Sequence, residues 1–364
     1  MKAEALHAES WRRLQEWRAR LPHALLLSGG RGLGKLDLAF AFAASLLCET
    51  PQAGGAACGE CPACRWFSRG NHPDFRLLQP AALRVEEAEE DKKSGKGGKA
   101  GGAEGAEGAG DKADKEKSAR SGQQITIDQI RELDEFLCVG THRQKSRVIL
   151  VHPAERLNRE AANALLKMLE EPPQNTLFLL VSSEPMRLVP TLRSRCQTLR
   201  LSLPVVAEGE AFLAAAGLRD AATWLALAGG APLLALQLAE KTADWQPQLT
   251  EALQRGECLD ALPAAARLEK TLKTVKGENP LPQLVDWAQK WLVDLNLAAQ
   301  NLPIRFYLGE RAKIMTLAKK SQTARLARFY RQLSQLRRES AHPLNLRLFL
   351  EQFFLDYRAL FLEE

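Results

Sequence analysis

The chain has 364 residues, 45% of them apolar, and a formal net charge of +6. That length predicts two or three domains with real cores, and the mild basic excess allows contact with DNA or an acidic partner without requiring either. No apolar run approaches the ~20 residues that span a membrane; the charged opening "MKAEALHAESWRRLQEWRARL" reads as no signal peptide; and seven cysteines, four of them clustered, fit a reducing cytoplasm better than a disulfide scaffold.

Trp11 to Leu21 reads as a helix, "ALLLSGG" from Ala24 as a buried strand entering a turn, and Leu36 to Cys48 as an apolar helix. Between strand and helix, Gly29, Gly34 and Lys35 match the phosphate-cradling pattern G-x-x-x-x-G-K in the context that pattern needs. The residue after the lysine, normally a Ser or Thr whose hydroxyl binds magnesium, is Leu36. Asp37 does not replace it: one helical step turns a side chain by about 100°, and a carboxylate there repels phosphate.

Cys58, Cys61 and Cys64 form C-x2-C-x2-C, and Cys48 precedes them. Four thiolates so spaced suit tetrahedral zinc, and a full set of sulfur ligands leaves no position for water, so the metal is expected to be structural. Unliganded thiols, a redox pair and an iron–sulfur cluster are the alternatives. A bare nucleic-acid-binding zinc knuckle is another, with Arg65, Trp66 and Arg69 as its neighbours. Cys138 and Cys258 read as buried small residues. Val85 to Arg120 then carries 10 acidic residues, 8 basic residues and 8 glycines with a single Val as its only large apolar residue. Such a stretch has too little apolar area to offset ordering entropy and is expected to be a disordered, solvated insertion.

"QITIDQIRELDEFLCVG" reads as a short strand and a helix, "SRVILVHP" as a buried strand, "NREAANALLKMLEE" as an amphipathic helix capped by Asn158 and stopped by Pro172-Pro173, and "TLFLLVSS" as another buried strand. Apolar strands alternating with helices predict a parallel sheet covered on both faces. An ATPase of this kind needs acidic residues after its second apolar strand, to hold the metal and orient water. His152 and Pro153 stand there instead, with Glu155 two to three residues too far along. The pattern reads as a nucleotide-binding fold with hydrolysis lost; weak binding through the loop amides and Lys35 stays open. Beyond Leu203-Pro204 the signals are helical: small helices over Ala207 to Ala239, then longer ones. The last carries an apolar stripe of Leu346, Leu350, Phe353, Tyr357 and Phe361.

"HALLLSG", the Gly-Lys pair, "LLC" with the cysteine triplet, "HPDF", "NALLKMLEEPP" and "TLRSRC" occur in that order. Together they resemble the AAA+ clamp-loader family of bacterial DNA polymerase III, in its delta-prime branch. The resemblance is specific from about Trp11 to Leu203 and weaker beyond. It implies an α/β AAA+ domain over residues 1–203, holding a zinc module at 48–64 and the insertion at 85–120. A small helical lid over 204–242 and an all-α collar for oligomerisation over 243–364 are expected to follow. It also implies a replication role in the cytoplasm: a non-hydrolysing component of the DNA-directed DNA polymerase holoenzyme. The partners implied are gamma/tau-type ATPase and delta subunits in a hetero-pentameric ring, with the sliding clamp and primer-template DNA met through the complex. No membrane is implied. Zinc would sit on Cys48, Cys58, Cys61 and Cys64, and ATP/Mg2+ would go unused at the degenerate loop of Gly29, Gly34 and Lys35. The family's Ser-Arg-Cys motif matches Ser194, Arg195 and Cys196, making Arg195 an arginine finger for a neighbour's ATP site. Without the motif, Arg195 reads as a surface ion pair; Ser182 and Ser183 read as structural. The rival readings are an active AAA+ motor, opposed by Leu36, and a zinc-dependent nucleic-acid-binding protein, opposed by few basic residues near the cysteines.

Overall fold

The computed structural model describes residues 6–83, 122–138, 146–242, 244–274, 279–339 and 345–362; the charged insertion, expected to be disordered, lies outside them. The chain divides into two compact units, Met1–Ser202 and Leu203–Glu364.

The first unit is built on five parallel strands in the order β2-β3-β4-β1-β5: β1 (Ala24–Ser28), β2 (Phe75–Leu78), β3 (Arg147–Val151), β4 (Thr176–Ser182) and β5 (Gln197–Arg200). Every residue of β1, β3 and β4 is buried, as a parallel sheet covered on both faces requires. Its helices are α1 (Ala8–Arg18), α2 (Lys35–Leu47), α3 (Pro62–Ser68), α4 (Ile127–Cys138), α5 (Arg159–Glu170) and the single turn α6 (Pro190–Ser194). Residues of α4, α5 and α6 bury one face of the sheet through Ile130, Leu133, Leu165, Leu169 and Leu192, while α2 contacts β1, β3 and β4. Asn158 caps α5, its side-chain oxygen accepting from the Ala161 amide at 2.7 Å. The short strand expected at "QITI" reduces to one bridge between Ile125 and Leu157. Thr126 already donates its amide to the Gln129 side chain as α4 begins, which leaves no length for a strand.

The second unit is helical among the described residues: α7 (Val206–Ala215), α8 (Ala221–Leu227), α9 (Pro232–Thr242), α10 (Gln246–Gln254), α11 (Ala261–Leu272), α12 (Leu281–Ala299), α13 (Arg311–Ala318), α14 (Thr323–Glu339) and α15 (Leu346–Ala359). One apolar cluster runs from Leu213 to Phe361. Polar side chains bridge within it: Trp291 Nε1 donates to the Tyr357 hydroxyl at 2.9 Å, which donates to the Leu253 carbonyl at 2.6 Å. The fully buried Asp294 accepts the amides of Arg305, Phe306 and Tyr307 at 2.7–3.0 Å, so a charge that burial alone would forbid folds a loop onto α12. No single helix among the described residues is long and apolar enough to cross a membrane.

Candidate functional site

The phosphate loop leaves β1 at Gly29, where a Cβ would lie 2.8 Å from the Leu201 carbonyl oxygen, and turns through Gly32 (φ 70°) and Gly34 (φ 77°) into α2. The sequence-predicted Gly29, Gly34 and Lys35 therefore come together in one glycine-hinged turn between β1 and α2. The lysine does not face outward. Lys35 is 5% exposed and donates to its own loop's Gly30 carbonyl at 2.5 Å. Burial pushes its pKa down to about 8, against an opposing pull from the Glu155 carboxylate.

Glu155 lies nearer the loop than its place in the chain suggests. The 3-10 turn Ala154–Arg156 after β3 carries it back to the carboxyl edge of the sheet, where it accepts the Ser183 amide at 3.1 Å. Residue count along the chain could not show this, because the reach depends on how β4 ends. Ser182, fully buried beside Ser28 of β1, accepts the Glu184 amide. Glu184 in turn pairs with the loop's Arg31 and with Arg187, each at 3.0 Å, and those guanidinium groups, Arg187 foremost, hold its carboxyl below the usual range. The two loop cations thus each have a carboxylate nearby, and Leu36 supplies no oxygen for magnesium.

The four cysteines meet. Cys48 leaves the end of α2, Cys58 and Cys61 lie in the following loop, and Cys64 is in the first turn of α3, where Cys61 Sγ caps by accepting the Cys64 amide at 3.4 Å. All four sulfurs fall within 4.8 Å of one another, with Cys48–Cys61 and Cys58–Cys64 each at 3.9 Å. A tetrahedron with zinc–sulfur bonds of about 2.3 Å needs sulfurs about 3.8 Å apart, so the donor set fits zinc. The amides of Cys58, Glu60 and Cys61 also point at cluster sulfurs at 3.3–3.4 Å, which favours thiolates. The Thr50 hydroxyl first, then the Cys61 and Glu60 amides, bring Cys58 down to about 6, whereas burial pushes Cys64 up to about 12. Trp66, 37% exposed, stands edge-on to His72. Cys258, expected to be buried, is exposed at the end of a 3-10 turn, and Cys138's side chain lies outside the described residues.

Arg195 follows α6. One guanidinium nitrogen pairs with Glu170 at the end of α5 at 2.6 Å and the other donates to the Thr191 carbonyl at 3.2 Å. Its side chain keeps 36% exposure. Ser194 donates to Thr191, and Cys196 is buried, its thiol pushed up to about 12, donating to Leu192. Ser194 is exposed, Cys196 is buried, and Arg195 is half-buried with its guanidinium held by Glu170 and Thr191.

A family model described as "DNA polymerase III, delta subunit" matches residues 7–204. The chain is 34% identical over 353 residues to "DNA polymerase III subunit delta'" of Pseudomonas aeruginosa, covering 94% of each protein. It is 33% identical over 182 residues to the protein of the same description in Escherichia coli, covering 50% of this chain and 43% of that one. Among solved structures, a gamma subunit-related protein of DNA polymerase III from Thermotoga maritima aligns over 99% of both chains at 17% identity with a TM-score of 0.47.

Proposed function

The chain belongs to the DNA polymerase III delta' family, and we propose that it is the non-hydrolysing AAA+ subunit of a clamp loader, completing a neighbouring subunit's ATP site with Arg195. The observation that carries this reading is the phosphate loop. Its fold is retained, yet the residue that should hold magnesium is Leu36, His152-Pro153 follow β3, and Lys35 is turned onto Gly30. Hydrolysis needs a bound metal, a positioned water and a cation on the transferring phosphoryl group, and each is compromised here.

The partners are gamma/tau-type and delta subunits in a ring that places a sliding clamp on primed DNA, with 204–242 as lid and 243–364 as collar. Arg195 suits the trans role because a guanidinium stays charged and binds phosphate oxygens through two hydrogen bonds. Its pair with Glu170 is half-exposed; such pairs are worth about 0–1 kcal/mol, so a neighbour's phosphate displaces the carboxylate at little cost. Zinc on the four cysteines is structural. The test is ATP turnover by the isolated full chain: it should not exceed background, and Leu36→Thr should not restore it, since His152 and Pro153 still leave metal and water unheld. Magnesium-dependent turnover by the unmodified chain would overturn the reading.

A further inference from the structure

Helix α1 and the His7 that precedes it touch both the loop between Cys48 and Cys58 and the phosphate loop. At its N-terminus His7, 6% exposed, donates from Nε2 to the carbonyl of Leu33, the residue between the two left-handed glycines of the loop. One turn on, Trp11 donates from Nε1 to the Gly54 carbonyl at 3.1 Å, in the loop between Cys48 and Cys58, and sets its ring edge against Phe42 of α2. Gln15 lies against Gly55 so closely that a Cβ there would stand 2.1 Å from the Gln15 side-chain oxygen. At the far end Arg18 donates to the Ser45 carbonyl at 3.2 Å, three residues before Cys48.

From these contacts we infer that the metal module is a positioning device for the phosphate loop, acting through α1. The inference rests on the zinc reading above. Zinc ties Cys48 to Cys58, Cys61 and Cys64 and so fixes the loop that carries Gly54 and Gly55. That loop presents the acceptor for Trp11 and the cleft for Gln15, which set the place of α1. With α1 in place, His7 holds the Leu33 carbonyl, and the phosphate loop keeps its closed form with Lys35 inside. His7 and Trp11 are positioning residues: each donates to a backbone carbonyl, His7 in the phosphate loop and Trp11 in the loop between Cys48 and Cys58.

The experiment is amide hydrogen exchange followed by mass spectrometry on the full chain, with metal analysis of every sample. It compares zinc-loaded protein, chelator-stripped protein, and zinc-loaded Trp11→Phe and His7→Ala variants. Trp11→Phe keeps an aromatic ring toward Phe42 and removes the donor along with part of the ring. We expect it to retain one zinc and to exchange roughly 2- to 12-fold faster at 29–35, the range that loss of one hydrogen bond predicts, with peptides of α15 unchanged. His7→Ala should speed exchange at 29–35 and leave 52–56 alone. Stripping zinc should speed both. Unchanged exchange at 29–35 in zinc-loaded Trp11→Phe would overturn the coupling, whatever stripping does to overall stability. Acceleration confined to 48–64 in a stripped chain that remains folded would overturn it equally. Absence of metal in freshly purified reduced protein would overturn the zinc reading itself, and the inference with it.

Discussion

At the scale of single residues, Lys35 departs from the lysine that a phosphate loop ordinarily presents. A lysine awaiting phosphate gains from solvent and ligand; this one is buried against a carbonyl, with its pKa down to about 8 from 10.5. The folded chain therefore releases its proton more easily than the unfolded chain does, so stability rises with pH between about 8 and 10.5 and the full penalty is present below 8. Lys35→Met should raise the melting temperature of the isolated chain at pH 7, and the gain should shrink as pH climbs through that window. A variant less stable than the parent at pH 7 would show that the Gly30 bond outweighs the burial cost. Asn158 gives a simpler case. Its cap was legible from one polar residue before an amphipathic run, and Asn158→Ala should cost about 1 kcal/mol, read by denaturant unfolding with an unchanged m-value. Glu155 was not legible. Its role comes from a turn that returns its carboxylate to β4 and within electrostatic reach of Lys35, and no spacing rule encodes that return.

Among elements, legibility followed burial. Strands β1, β3 and β4 announce themselves because both their faces are covered and every side chain is apolar or small. Strands β2 and β5 lie at the sheet's edges and expose Arg76, Gln197, Thr198 and Arg200, so their composition looks like loop. The helical stripe near the end was read correctly at Leu350, Phe353 and Tyr357, but Phe349 and Phe354 are buried too, because α15 packs against both α11 and the 3-10 turn at Gly256–Cys258. The cysteine module was the clearest element of all, since four sulfurs at these spacings have few other uses. Cys61→Ser should lose the metal and lower the melting temperature. In isolated modules zinc contributes about 10–16 kcal/mol; within a unit having its own core we expect a loss of at least about 2 kcal/mol, roughly 4–8 °C for a unit of this size. An unshifted melting curve in metal-free Cys61→Ser would mean that the module is held by packing alone.

At the scale of the whole molecule, the chain is two compact units of different make-up. The first carries the loop, the metal module and Arg195; the second is a helical body whose core is tied by the Trp291–Tyr357–Leu253 chain and the buried Asp294. If the degenerate loop does not hydrolyse ATP, as proposed, the chemistry lies between subunits. A finger supplied in trans is worth about 10³ to 10⁵ in rate at the site it serves. Replacing Arg195 should silence one site of the assembled loader and leave the others running. Arg195→Lys should fail as well, because an ammonium does not reproduce the two-pronged contact. The direct measurement is clamp- and DNA-stimulated ATP turnover by a loader reconstituted with Arg195→Ala in this subunit, with ring assembly checked on the same sample. The account predicts a partial but definite fall in turnover from a fully assembled ring; undiminished turnover from such a ring would reduce Arg195 to the surface partner of Glu170 and contradict the central claim.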